Sequence, residues 1–313
     1  MNQNSVAITV LCSHLCVGEN IKPLEPKEWS ELAKQLLERG IQPSELLEYR
    51  PDDFREKFFF NNDMIERVLR LIERSASLSF EISKFENMGI HIVTRADADY
   101  PKKLKKALGN GCPPLFYYAG DLRLLETNSV GYVGSRTVEE KDIAFTIGAV
   151  QKTVAQGFSV VSGGAKGVDQ TAETEALRLG GSAIVYLSDS MLRKIKYPVA
   201  IQAIQQGKLL LLSAVKPDAG FNAGFAMVRN QYIYAQSIGT VVVKSDYNKG
   251  GTWCGAIENL RHEWCSTFCW NQKENIGNMA LIKKGAIPID ETWDGNVMLQ
   301  KPQPSKQISL FDS

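Results

Sequence analysis

Several kinds of feature are scarce in this chain, and each scarcity removes a class of function. No run approaches the roughly 20 uninterrupted apolar residues that a bilayer-crossing helix needs, so no membrane partner is expected. The first residues, Met1–Ala7, carry Asn and Gln where a secretory leader would be basic, and a cytoplasmic location is expected. Net charge is nearly nil: 36 Lys and Arg face 35 Asp and Glu, a formal +1, so affinity for a polyanion has to come from a local patch. Imidazole is scarce too, with three histidines, and the six cysteines form no CxxC pair. Cys12 and Cys16 are four apart, as are Cys265 and Cys269, which favours reduced core cysteines over a structural zinc. Neither G-x-G-x-x-G nor G-x-x-x-x-G-K-[ST] occurs, nor a zincin or nucleophile-elbow pattern. No cofactor, no metal and no catalytic residue are expected.

What the chain does have is a pair of short β-branched runs that each empty into a glycine turn bearing one cation. They are Val130-Gly-Tyr-Val-Gly-Ser-Arg136 and Ser159-Val-Val-Ser-Gly-Gly-Ala-Lys-Gly-Val-Asp169. A strand ending in glycines before a helical pattern brings backbone N–H groups and a helix N-terminus up to a phosphate. Arg136 and Lys166 would face that anion, whereas Asp169, in a first helical turn, suits the dipole and the free N–H groups there better than it suits catalysis.

Around these turns the pattern alternates. Strands are predicted at 129–133, 158–162, 182–187, 209–213, 239–244 and 266–270, with helices at about 138–155, 168–179, 222–237 and 252–264. Alternation of this kind implies an α/β fold, a mostly parallel sheet with helices on both faces. Ahead of it, residues 1–85 read as a small helical domain, with Trp29, Leu32, Leu36 and Leu37, then Ile65, Val68, Leu69 and Ile72, at helical spacing. Pro43 and Pro51 punctuate it, and Ser44 and Asp52 are the expected caps. The domains expected are thus 1–85, 86–290 and a polar, flexible tail over 291–313. Lysine clusters at 102–106, 193–196 and 283–284 are candidate patches, or plain solvated faces.

Over residues 85–290 the chain resembles the DprA/Smf family of DNA-processing proteins. The resemblance is carried by Tyr100-Pro101, Pro114-Leu-Phe-Tyr-Tyr with Gly120-Asp-Leu, Val130 to Arg136, Gly157 to Asp169, Arg229-Asn230, Lys249-Gly-Gly-Thr252 and Asn278-Met-Ala-Leu-Ile282. It implies an extended Rossmann-like core, non-catalytic binding of single-stranded DNA, a homodimer, and delivery of strands to a RecA-type recombinase. Mapped onto this sequence, the family's phosphate pocket falls on Gly134, Ser135, Arg136, Gly163, Gly164, Lys166 and Gly167, with Arg229 and Asn230 nearby.

Departures from the family pattern include Gly164 in place of leucine, Gln231-Tyr-Ile-Tyr234 after Arg-Asn, and no C-terminal winged helix. They point to a specialised member, with an antitoxin or sensor role beside a cognate toxin in mobile-element defence as an alternative. A second alternative is a nucleotide N-glycosidase of the wider superfamily. There the glutamate after Gly250-Gly-Thr252 would be Glu258, one residue late, which turns it about 100° away on a helix. Finally, Gln307-Ile-Ser-Leu310-Phe311 resembles the peptide that docks proteins on the replication sliding clamp, with Gln307, Leu310 and Phe311 as the contacts.

Overall fold

Proline decides where the early helices begin. In a computed structural model that describes residues 1–18 and 21–297, α1 (Gln3–Cys12), α2 (Pro26–Arg39), α3 (Pro51–Phe58), α4 (Asn62–Glu73) and α5 (Ser75–Glu86) come first. Pro26 and Pro51 stand at the first helical position, where the missing N–H costs nothing. This corrects the expected caps: Gln42, before the short helical turn Pro43–Glu48, and Arg50, before α3, hold the cap positions, each directly ahead of a proline, and Ser44 and Asp52 lie two residues further on, in the first turn. Then follow β1 (His91–Thr94), α6 (Lys102–Leu108), β2 (Leu115–Gly120), β3 (Ser129–Val133), α7 (Glu140–Ala155), β4 (Ser159–Ser162), α8 (Val168–Arg178) and β5 (Ala183–Leu187). The remainder is α9 (Met191–Lys194), α10 (Pro198–Gln205), β6 (Leu209–Ser213), α11 (Ala223–Gln236), β7 (Gly239–Val242), α12 (Gly250–His262), β8 (Ser266–Trp270), α13 (Ile276–Lys283) and β9 (Ile287–Ile289). Every strand and helix expected between 129 and 270 is present, with ends moved by two residues or fewer.

Two compact units divide the chain. The first comprises 1–125 and 184–229. Its strands run in the order β1-β2-β6-β5, with β1 and β6 both antiparallel to β2. The N-terminal helices are knitted to these strands by polar contacts, one of them buried. Asp97, after β1, accepts from Asn2, Ser5 and Thr94, and Ser13 of the α1 cap bonds Tyr117 of β2 at 2.8 Å. Arg74 donates to the carbonyls of Leu15, Val10 and Ser13, closing the end of α1, whose carbonyls have no intrahelical partner.

The second unit, 126–183 and 230–313, is the α/β half. Its strand order is β4-β3-β7-β8-β9, every pair parallel. The core is aliphatic and aromatic: Val130, Tyr132, Val160, Val241 and Phe268 from the strands meet Phe145, Val150, Ala172 and Ala176 from α7 and α8. Tyr132 is fully enclosed, and its hydroxyl pairs with Thr153 at 2.7 Å, so the phenol is satisfied while burial pushes its pKa upward. Residues 291–297, expected as the start of a flexible tail, are instead tied down. Lys152 donates to the carbonyl of Glu291 at 2.7 Å, Trp270 donates to its carboxylate, and Val297 is buried against Gly239 and Phe268. The clamp-docking contacts Gln307, Leu310 and Phe311 lie outside the described residues.

The six cysteines are all free, and Cys16 and Cys254 are exposed while Cys12, Cys112 and Cys269 are buried. Burial pushes the thiols of Cys265 and Cys269 up to about 12 and those of Cys12 and Cys112 above their ordinary value. Among the described residues no group of three or more His, Cys, Asp or Glu is placed to hold a metal, and no helix is long and apolar enough to cross a membrane.

Asn278 binds the carboxyl ends of two strands together. Its amide donates to the carbonyls of Val243 and Trp270, each at 2.9 Å, while its oxygen accepts from Ser245 N–H, all fully buried. Asn278→Ala would leave the Val243 carbonyl and the Ser245 N–H without this partner, while the Trp270 carbonyl keeps the Gln272 N–H, and a buried unsatisfied group costs about 1–3 kcal/mol. The urea midpoint of the variant is expected to fall by an amount equivalent to about 3 kcal/mol at unchanged m-value.

Candidate functional site

In an open parallel sheet, ligands bind beyond the carboxyl ends of the strands, where the strand order switches direction. In the second unit that place is the junction of β3 and β7, since the chain continues to β4 on one side and to β8 and β9 on the other. Two backbone bonds close the junction: Val243 N–H to Val133 O at 3.1 Å and Ser135 N–H to Lys244 O at 2.9 Å. The two cation-bearing turns therefore start from a fixed base.

Glycine lets those turns touch. A Cβ on Gly134 would fall 2.4 Å from Val168, the first residue of α8, and one on Gly167 would fall 2.3 Å from the Ser135 carbonyl and 3.0 Å from the Arg136 backbone. Gly167 also has φ of +82°, a conformation that other residues avoid. The turn after β3 and the turn after β4 thus form one continuous surface, and both Arg136 and Lys166 are exposed on it.

The accounting of N–H groups in this surface is selective. Gly163 N–H donates to Asp169 Oδ2 at 3.0 Å, Gly164 N–H to Ser162 Oγ at 3.3 Å, and Thr137 N–H to Ser135 Oγ at 3.1 Å. Among the described residues, the N–H groups of Ala165, Lys166 and Gly167 have no acceptor. Three consecutive open donors ahead of α8, beside two exposed cations, are the arrangement known to bind anions. Of the glycines expected in the pocket, Gly163 and Gly164 have N–H groups engaged within the turn, and the open N–H groups belong to the three residues after them. Asp169 acts as expected, as a buried acceptor that fixes the turn.

Arg229 and Asn230, expected near the pocket, each bond a backbone carbonyl of their own unit. Arg229 is buried and donates Nη1 to the carbonyl of Tyr186 in the first unit, at 3.2 Å. Asn230 donates to the carbonyl of Gly251, so it fixes the start of α12 against α11. Glu258, the carboxylate that glycosidic cleavage would require, accepts from Gln231 Nε2 at 2.8 Å two turns into α12.

Two residues at this edge were not legible beforehand. Lys244, directly after β7, pairs with Glu139 at 2.9 Å and with fully buried Asp142 at 2.8 Å. Burial alone would pull its ammonium down, but the hydrogen bonds to Asp142 and Glu139 outweigh that and hold it above the ordinary lysine value. It staples β7 to the start of α7 and is spent as a charge. Tyr247, in the loop that follows, is more than half exposed at 57% and stands edge-on to Trp253, ring centroids 5.2 Å apart. An exposed aromatic next to glycine-rich turns was the available signal for it.

Comparison with known proteins agrees with this architecture. The family described as DNA recombination-mediator protein A matches residues 91–298. Protein Smf of Synechocystis is 29% identical over 235 residues, covering 71% of this chain and 58% of its own length. DNA processing protein DprA of Streptococcus pneumoniae is 28% identical over 203 residues, 64% of each chain. The chain therefore spans about three fifths of the length of these curated relatives. Among solved structures, DprA of Streptococcus pneumoniae has the same fold, with a TM-score of 0.65 at 23% identity over 85% of this chain and 95% of its own. DNA processing protein A of Helicobacter pylori, a structure concerned with that protein's single-stranded DNA binding, gives 0.53 at 27% identity over 63% and 90%.

Gly167→Ala is expected to force the two turns apart. The strained φ alone costs about 1–3 kcal/mol, and the clash with the Ser135 carbonyl adds to it. Thermal unfolding should register a lowered midpoint, while Gly148→Ala, on α7 with nothing within 4 Å of its added Cβ, should leave the midpoint unchanged or raised.

Proposed function

Because the chain belongs to the DNA recombination-mediator protein A family, we propose that it is a DNA-processing protein that binds single-stranded DNA on the turns after β3 and β4. The observation that carries this reading is the run of three open N–H donors, Ala165 to Gly167, flanked by exposed Arg136 and Lys166. One phosphate sits on the donors, and the cations neutralise it and its neighbours, a recognition that takes no account of base sequence. Tyr247 offers a ring on which an unstacked base can lie, which supports a single strand over a duplex. The Helicobacter pylori relative, studied for single-stranded DNA binding, supports the same assignment.

Binding without chemistry is the better reading of the edge. The glycosidase alternative requires Glu258 at the reacting sugar, and its carboxylate is engaged by Gln231. A homodimer and hand-over of the strand to a recombinase are what the family resemblance implies for this chain, beyond the binding itself.

The test is anisotropy of a labelled oligothymidylate against KCl concentration. Single-strand binding loses about 0.7 from the log–log salt slope for each phosphate contact removed. Arg136→Ala with Lys166→Ala is expected to flatten the slope by about 1.4 and to remove most of the affinity at low salt. Tyr247→Ala is expected to weaken binding about tenfold, within the roughly 1–3 kcal/mol of a stacked base, with the slope unchanged. Absent binding, or binding indifferent to salt, overturns the reading.

A further inference from the structure

One side of α7 faces an unfilled space. Lys141, Ala144, Gly148 and Lys152 fall along that side at about 100° per residue, so two lysines bracket two of the smallest residues. All four line a cavity of about 370 Å³, within the roughly 300–1,000 Å³ of small-molecule sites. Every lining residue belongs to the second unit. The cavity lies toward the carboxyl edge of the sheet, where Trp270 ends β8 and Asp290 follows β9.

Packing does not force this space to stay open. A Cβ added to Gly148 would have nothing within 4 Å, and glycine inside a helix is less stable than alanine. A larger residue would therefore suit the helix and fill the gap. The walls around it are aromatic and fixed. Phe145 lies nearly parallel to Trp270, ring centroids 4.4 Å apart at 11°, and Trp293 packs on Phe268. Trp270 Nε1 donates to Glu291 Oε1 at 3.2 Å and Lys152 to the Glu291 carbonyl at 2.7 Å, which pins the segment after β9 to β8 and α7.

Each lysine on the rim already has a partner: Lys152 has that carbonyl, and Lys141 has Glu139 at 3.4 Å. Two carboxylate oxygens do not. Both Thr292 bonds fall on Asp290 Oδ1 and the Trp270 bond on Glu291 Oε1, so among the described residues Asp290 Oδ2 and Glu291 Oε2 accept no hydrogen bond. The bonds from Thr292 also hold the Asp290 carboxyl below its ordinary value, in its ionised form. With two lysines against two carboxylates the lining carries no net charge, which favours a neutral ring with N–H donors over an organic cation.

We propose that this cavity is a nucleobase site for guanine, whose ring stacks on the aromatic wall and whose N1–H and N2–H meet the open oxygens of Asp290 and Glu291. Thymine sets its one N–H between two carbonyls, which the carboxylates repel. The site is separate from the glycine turns and needs no phosphate, so it goes beyond the function given above. A free nucleoside and a strand both present the ring.

Deoxyguanosine, which has no phosphate, is titrated against the full-length protein and followed by indole fluorescence. Saturable quenching is expected with the wild type and none with Gly148→Leu, whose side chain fills the cavity. Asp290→Asn is expected to bind at least about tenfold more weakly. Neither variant should lower the thermal midpoint. Arg136→Ala/Lys166→Ala should bind deoxyguanosine as the wild type does, so failure of the strand site leaves this one standing. No quenching in the wild type, quenching that survives in both cavity variants, or equal quenching by thymidine overturns the proposal. Displacement of deoxyguanosine by tetramethylammonium assigns the cavity to an organic cation and also overturns it. Oligothymidylates with and without one central dG identify the source of the base. A preference for the dG strand that Gly148→Leu abolishes assigns it to the strand, and saturable deoxyguanosine binding without that preference assigns it to a free nucleoside or nucleotide.

Discussion

The close approach of two turns, made possible by the lack of a Cβ at Gly134 and Gly167, is the constraint on which the site depends. Both turns leave neighbouring parallel strands, and without these glycines the Val168 side chain and the Ser135 carbonyl would hold them apart. Contact fixes Arg136 beside the open N–H groups of the next turn. The cost of ordering that surface is met by the protein, since the turn is braced from below by Asp169 and Ser162, so an anion meets donors already in position.

The second support lies at the junction of β3 and β7. Val133, Ser135, Val243 and Lys244 close it through the backbone, Lys244 draws in Glu139 and Asp142, and Asn278 joins β7 to β8. Buried polar groups are tolerated when they are paired, as Asn278 and Asp142 Oδ2 are here around the strand ends, while Asp142 Oδ1 stays without a hydrogen-bond partner. The same residues that complete the fold's hydrogen bonding hold the loops of the site.

Much of this was legible in the sequence, for identifiable reasons. Strands and helices from 129 to 270 follow from β-branched runs alternating with helical periodicity, a local signal. The glycine turns with their cations follow from the same local grammar. What was not legible depends on partners far away in the chain. Nothing near Lys244 announces Asp142, 102 residues earlier, and nothing near Arg229 announces the carbonyl of Tyr186. Gly163 and Gly164 are placed in the phosphate pocket by resemblance, yet which N–H of the turn stays open is decided by where Asp169 and Ser162 point. The stretch 291–297 is polar in composition, but Trp293 and Val297 supply enough apolar surface to anchor it on Phe268 and Gly239. Local caps were misplaced for a simpler reason: proline at the first helical position puts the cap directly before it, two residues earlier than serine or aspartate would suggest.

The dispersion of the cysteines has a practical side. Four thiols are withdrawn from reaction by burial, which disfavours the thiolate, and the two that remain exposed are Cys16 and Cys254. Cys16 belongs to one unit and Cys254, in the first half of α12, to the other. The chain therefore carries one addressable sulfur in each unit, so that a thiol-reactive dye can label either unit without an engineered cysteine.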